Sequence, residues 1–198
     1  MKRTLAVMLL LVAAALVLAK LFVFDLPGVG DDHMAPAVQA GDRLLVNRLE
    51  TKPTRGQLVL FKRPGSAQLL VRRVVGLPGE RVAVIKEVPR VDGQPALRRV
   101  VREVTVGGAK MRLVEERMGL VRYRVLKDRG RRSVDFTAVT LEGAYFVLAD
   151  SRNHGSDSRD FGPVSPDRIV GVVTHRVLAG AGSLPGQAAR PGWLRFGW

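Results

Sequence analysis

Leu69-Leu70-Val71-Arg72-Arg73-Val74-Val75-Gly76-Leu77-Pro78-Gly79-Glu80-Arg81-Val82-Ala83-Val84-Ile85 holds two runs rich in branched aliphatic residues, Leu69–Val75 and Arg81–Ile85, joined through Gly-Leu-Pro-Gly. Such residues fit a pleated, half-buried surface. Glycine and proline supply the dihedrals of a sharp reversal, so Gly76, Pro78 and Gly79 are expected to be structural. Similar short runs lie on both sides. Arg43–Asn47 and Gln57–Phe61 precede the stretch, the second entered through Gly56. Val100–Val106, Met111–Glu115, Leu120–Leu126, Tyr145–Ala149 and Ile169–Val173 follow. Turn signals separate several of them, at Asp92-Gly93, Gly107-Gly108 and Asp128-Arg129-Gly130. Strands at this spacing predict a mainly β fold, antiparallel sheets forming a partly closed barrel or sandwich.

The N-terminus is different in kind. Met1-Lys2-Arg3 is a short basic flank, and from Leu5 to Phe24 the chain is apolar except for Lys20. A helix of about 20 residues spans roughly 30 Å, the hydrocarbon thickness of a bilayer. The basic flank predicts a cytoplasmic N-terminus, one transmembrane helix and an extracytoplasmic domain at the cell membrane. Lys20 lies near the far end, where it can snorkel to the headgroups. The rival is a cleaved secretory signal, with Val17-Leu18-Ala19 as its cleavage site.

The expected division is an anchor over residues 1–24, a β domain over 25–179 and a tail over 180–198. Residues 25–41 look like a loop, and the basic stretch 86–142 looks like an inserted β lobe. The tail is rich in Gly, Pro and Ala and ends Trp193-Leu194-Arg195-Phe196-Gly197-Trp198, which suits either a membrane interface or packing on the domain. A formal charge of +14 on 198 residues suggests contact with anionic lipid headgroups, or a solvated basic face. The basic residues are scattered and carry no aromatic stacking platform, so nucleic acid is not an expected partner. With no cysteine in the chain, disulfides, thiolate chemistry and cysteine metal sites are excluded. No cofactor or metal signature is present; Asp31-Asp32-His33 with His154 and Arg72 is the one cluster that suggests a metal or an anion.

Three segments carry more specific information. The first is His33-Met34-Ala35-Pro36, followed by Gly41-Asp42 and the strand Arg43–Asn47. The second is Arg55-Gly56-Gln57-Leu58-Val59-Leu60-Phe61, then Val71 to Glu80. The third is Ala149-Asp150-Ser151-Arg152-Asn153, then Ser156-Asp157-Ser158-Arg159 and Phe161-Gly162. In order and spacing, behind an N-terminal anchor, they resemble the type I signal peptidase family. That family writes them as Ser-Met-x-Pro-Thr with Gly-Asp, as Arg-Gly-Asp-Ile-Val-Val-Phe with Lys-Arg-Val-Val-Gly-Leu-Pro-Gly-Asp, and as Gly-Asp-Asn-Arg-Asp-Asn-Ser-x-Asp-Ser-Arg. The matched segments cover roughly a third of the chain.

The resemblance implies a β-rich serine peptidase that removes leader peptides, with a serine nucleophile and a neutral lysine as base. It also implies an extended-peptide groove including Met34, Pro36, Arg72 and Val74, and structural roles for Asp157 and Arg159. Both members of the dyad differ here. The nucleophile position is His33, which has no hydroxyl, and the base position is Arg72, whose guanidinium stays protonated. Asp31 stands where many members place an oxyanion-hole serine, and Gly155 stands at the lysine-orienting serine. An Asp31–Arg72 salt bridge filling the cleft is expected. The implied protein lacks the peptidase reaction and binds signal-peptide-like or extended segments of exported proteins as an adaptor, chaperone or assembly factor. The alternatives are an active signal peptidase with an unusual site and a lipid-binding surface domain.

Overall fold

The computed structural model describes residues 2–106, 108–131, 134–180 and 194–195. In chain order the elements are α1 (Lys2–Phe22), β1 (Phe24–Asp25), β2 (Arg43–Asn47), β3 (Leu58–Lys62), β4 (Leu69–Gly76), β5 (Arg81–Ile85), β6 (Val88–Val91), β7 (Gln94–Pro95), β8 (Leu97–Val106), β9 (Ala109–Met118) and β10 (Val121–Asp128). They continue with β11 (Phe136–Thr140), β12 (Phe146–Leu148), α2 (Ser158–Phe161), β13 (Ile169–Leu178) and β14 (Leu194–Arg195). The fold is mainly β, and every pairing between named strands is antiparallel.

One sheet has the order β1-β2-β13-β3-β4-β12, with β14 also on β13. A second is β11-β5-β6-β7, and a third is the meander β10-β9-β8. Among the described residues none of these sheets closes on itself, so of the expected partly closed barrel or sandwich the antiparallel sheets are present and a closed barrel is not. The physical reason is the length of the edges. β1 is two residues and β12 three, too short to meet across a barrel. Residues 86–142 contribute the meander, but β6, β7 and β11 share their sheet with β5, which precedes that stretch.

The central strand β3 is buried on both faces, which is why Leu58-Val59-Leu60-Phe61 is a continuous apolar run with no alternation. One face contributes Val59 and Phe61 to a core with Val74, Val147 and Val172; the other contributes Leu58 and Leu60 to a core with Met34, Leu44 and Val173. Gly76 ends β4 under a second apolar layer. A Cβ there would lie 2.5 Å from Val82 Cγ2 and 2.7 Å from Leu141 Cδ1.

α1 is a 21-residue helix. Over the described residues, no helix is long and apolar enough to cross a membrane. Backbone pairing ties its end to the domain: Phe24 faces Asn47, and Arg48 N–H donates to the Val23 carbonyl at 2.8 Å. The aromatic tail expectation falls on residues outside those described, except for the backbone of 194–195.

Candidate functional site

Three chain segments meet at one end of β4. The first-segment loop 31–36 is packed through Met34 and Ala35, both buried. Ala35 joins Met111, Leu113 and Leu126 in a small core, so the meander closes over this loop. The third-segment loop lies between the two. Leu126 N–H donates to the Asp150 carbonyl and Arg152 N–H to the Leu126 carbonyl, each at 2.9 Å. On its other side, Ser151 N–H donates to the His33 carbonyl at 2.9 Å.

A buried ionic lattice fixes this loop. Arg73 makes a two-pronged contact with Asp150, at 2.8 and 2.6 Å, and its guanidinium lies 4.5 Å from the centre of the Tyr123 ring. Arg152 donates to Glu116 at 2.5 Å, and Arg98 reaches the other oxygen of the same carboxylate. Burial raises the Glu116 pKa, but Arg152 and Arg98 outweigh it and hold the carboxyl below its ordinary value. Burial pushes the Tyr123 phenol up. Asp157 caps α2 through a capping box with Asp160 and also receives Arg159 at 2.9 and 2.7 Å. Sequence patterning misses α2, because one turn is too short to show a helical period.

At the centre lie the three expected site residues Asp31, His33 and Arg72. Arg72 comes from β4 and is 2% exposed. Its Nε donates to the Ser156 carbonyl at 2.8 Å and its Nη1 to the Val71 carbonyl at 2.6 Å. Its Nη2 lies 3.4 Å from His33 Nδ1. Burial lowers the pKa of this guanidinium, opposed by Asp31 and by the nearby Asp157, Asp150 and Asp160. Asp31 does not make the expected ion pair with Arg72. It turns to His33, whose Nδ1 lies 2.9 Å from Oδ2, and whose backbone N–H donates to Oδ1 at 3.0 Å. Proximity decides this: a carboxylate two residues before the ring reaches both groups in one Asx-type turn. The hydrogen bond from His33 holds the Asp31 carboxyl below its usual range, partly offset by burial.

Gly155 is the fourth position of the constellation. It has φ +87°, and a Cβ there would stand 2.5 Å from His33 Cγ. The imidazole therefore occupies the space that a side chain at 155 would need. The remaining cluster residues point elsewhere. Asp32 accepts the Ala40 N–H at 2.8 Å, and His154 lies between Asp128, at 3.2 Å, and Arg131, at 2.9 Å. Among the described residues no group of three metal-type ligands converges.

A cavity of about 170 Å³ opens beside the centre, lined by Gly28, Val29, Gly30, Met34, Leu60, Leu70 and Val71, with Asp31 and Arg72 at its polar side. Of the expected groove residues, Met34 and Arg72 line this cavity, whereas Val74 is buried in the adjoining core. Pro36 follows a cis peptide bond after Ala35. Residues 69–72 of β4, which precede Arg73, are not paired with β12.

Residues 1–178 match the family described as signal peptidase, peptidase S26. Signal peptidase I V of Bacillus subtilis is 32% identical over 148 residues, covering 71% of this chain and 78% of that protein. Signal peptidase I of Bacillus caldolyticus is 31% identical over 166 residues, covering 79% of this chain and 81% of that protein. Signal peptidase I of Pseudomonas aeruginosa is 29% identical over 167 residues, which is 74% of this chain but 59% of that longer protein.

Proposed function

Given that the chain belongs to the signal peptidase family, peptidase S26, we propose that it is a pseudoenzyme of that family, which holds signal-peptide-like or extended segments of exported proteins without cleaving them. The single observation that carries this is the chemistry at Arg72. The position expected of a neutral lysine base is a buried guanidinium whose Nε and Nη1 are committed to backbone carbonyls. It cannot accept a proton. Its partner position, His33, offers no hydroxyl, and Asp31 places a carboxylate where an oxyanion would need a donor. Backbone pairing of an extended segment along β4 needs none of these groups.

The proposed location rests on the N-terminus. Leu5 to Phe24 is apolar apart from Lys20, and Leu5, Val7, Met8, Leu9, Leu10 and Leu11 are each more than half exposed on α1. A helix that is apolar all round requires an apolar environment. It anchors the protein in the cell membrane, with residues 1–24 as anchor, 25–179 as the extracytoplasmic β domain and 180–198 as a Gly/Pro/aromatic tail.

The test is incubation of a purified preprotein with the full chain in detergent, followed by both cleavage and binding of a labelled signal peptide. Binding without cleavage supports the proposal. Specific cleavage after a small residue, abolished by changing His33, establishes instead an active signal peptidase with an unusual site. Absence of peptide binding, with vesicle sedimentation that depends on residues 180–198, favours the lipid-binding alternative.

A further inference from the structure

The meander β8-β9-β10 carries its charge unevenly. Residues directly opposite one another in an antiparallel pair share a face of the sheet. The register therefore lines up Arg122, Arg117 and Leu97 across the three strands, and two residues further along Arg124, Glu115 and Arg99. All four arginines are exposed, and so is Leu97. The one carboxylate among them, Glu115, lies 3.6 Å from Arg99. The side chains of Arg117, Arg122 and Arg124 make no hydrogen bond or ion pair among the described residues. Like charges directly opposite are destabilising, so the Arg117–Arg122 pair opposes folding. The same end of the lobe also exposes apolar surface. Leu120, in the turn between β9 and β10, is fully exposed. A cavity of about 460 Å³ opens beside that turn, lined by Gly119, Met118, Arg117, Leu97, Val91 and Pro95 among others.

We propose that this face docks an acidic segment of a partner protein, with an apolar side chain of that segment in the cavity against Leu97 and Met118 and its flanking carboxylates on Arg117, Arg122 and Arg124. Guanidinium groups bind carboxylates in two-pronged fashion, and arginine beside an apolar pocket is the composition of a protein interface. Position argues against a bilayer as the occupant. Val172 faces Asn47 on one side and Val59 on the other, so β2 and β3 are level there and run the same way. α1 joins the sheet past Asn47, where Arg48 meets Val23, whereas Val121 rests against Gly56, ahead of the start of β3. The turn at Leu120 therefore lies by the end of β3 remote from α1. A second copy brings the same formal charge of +14 and is repelled. No aromatic ring stands among the aligned residues to stack a base. None of these residues lines the 170 Å³ cavity beside Arg72, so the surface goes beyond the holding of signal-peptide-like segments and leaves that cleft open.

The test uses the full chain in detergent and a fluorescein-labelled peptide in which leucine is flanked on each side by two glutamates, read by fluorescence anisotropy. The expected result is saturable binding that weakens as salt is raised. The triple variant Arg117→Gln, Arg122→Gln, Arg124→Gln weakens it about tenfold or more. Replacing the leucine of the peptide by serine, or Leu97 by Asp, also weakens it. Arg122→Gln alone lowers affinity while raising the urea midpoint, because it relieves the like-charge pair; a merely structural arginine would lower both. Equal affinity of the natural chain and the triple variant overturns the proposal. So does tighter binding of an oligodeoxythymidylate or a sulfated polysaccharide than of the peptide, when that binding is lost in the triple variant. If the triple variant fails to fold by circular dichroism, a peptide with glutamine in place of every glutamate that binds the natural chain as tightly overturns it. Unlabelled signal peptide is expected not to compete; competition would place the acidic peptide in the cleft and overturn the separate surface. Acidic-peptide binding without signal-peptide binding sinks only the peptide-holding function, and the reverse result sinks only this one.

Discussion

Substituting Gly155 by alanine tests whether the imidazole at 33 and the missing side chain at 155 are one adaptation. The added Cβ would lie 2.5 Å from His33 Cγ, 2.8 Å from its Cβ and 2.9 Å from its Cδ2. Real Cβ atoms do not approach that closely, so the ring must move and give up its 2.9 Å contact with Asp31. Two costs add. An L-residue at φ +87° costs roughly 1–2 kcal/mol, and overpacking typically costs about 1–3 kcal/mol. His33→Gly removes all three contacting atoms but leaves the dihedral cost. In a double-mutant cycle, the double variant is therefore expected to be more stable than the sum of the single changes by about 1–3 kcal/mol. Urea unfolding of the four chains in detergent, followed by far-ultraviolet circular dichroism, measures that coupling. Additivity to within about 0.5 kcal/mol would refute the steric linkage and leave Gly155 as a purely conformational requirement.

Glu116→Gln removes the charge that both Arg152 and Arg98 share, and is expected to destabilise the chain by about 3–5 kcal/mol at neutral pH. Because the folded Glu116 carboxyl lies below its ordinary value of 4.5, its stabilisation is complete above that pH and is lost as pH falls through the folded value. Urea midpoints for the two chains should therefore converge in acid; a gap that stays constant with pH contradicts the charge lattice. Gly76→Val should cost about 1–3 kcal/mol by forcing its side chain into Val82, Leu141 and Phe146, read as a lower thermal midpoint. Leu10→Arg together with Val12→Lys should release the chain from membranes on alkaline extraction, each charge costing about 2.5–3.5 kcal/mol at a helix centre. Retention of that variant would remove the anchor.

The β character, the turn at Gly76–Gly79, the apolar N-terminal run and the three family segments are legible in sequence because each depends on neighbours within about ten residues. Periodicity and turn chemistry act at that range. The same local logic overreached on barrel closure, which depends on how far edge strands extend in space. It also missed α2, whose capping box from Asp157 to Asp160 is visible only once one turn is known to form. The residues of the site were named by position alone, and their partners were not. Sequence put Asp31 against Arg72, since opposite charges in one cleft attract. Tertiary structure gives Asp31 to His33 and Arg72 to the carbonyls of Val71 and Ser156, and spends the space at Gly155 on the imidazole. Residue identity fixes which groups can donate, accept or carry charge; which of them meet is set by segments as far apart as residues 33 and 155 packing into one volume, where each donor takes the acceptor that geometry leaves within reach.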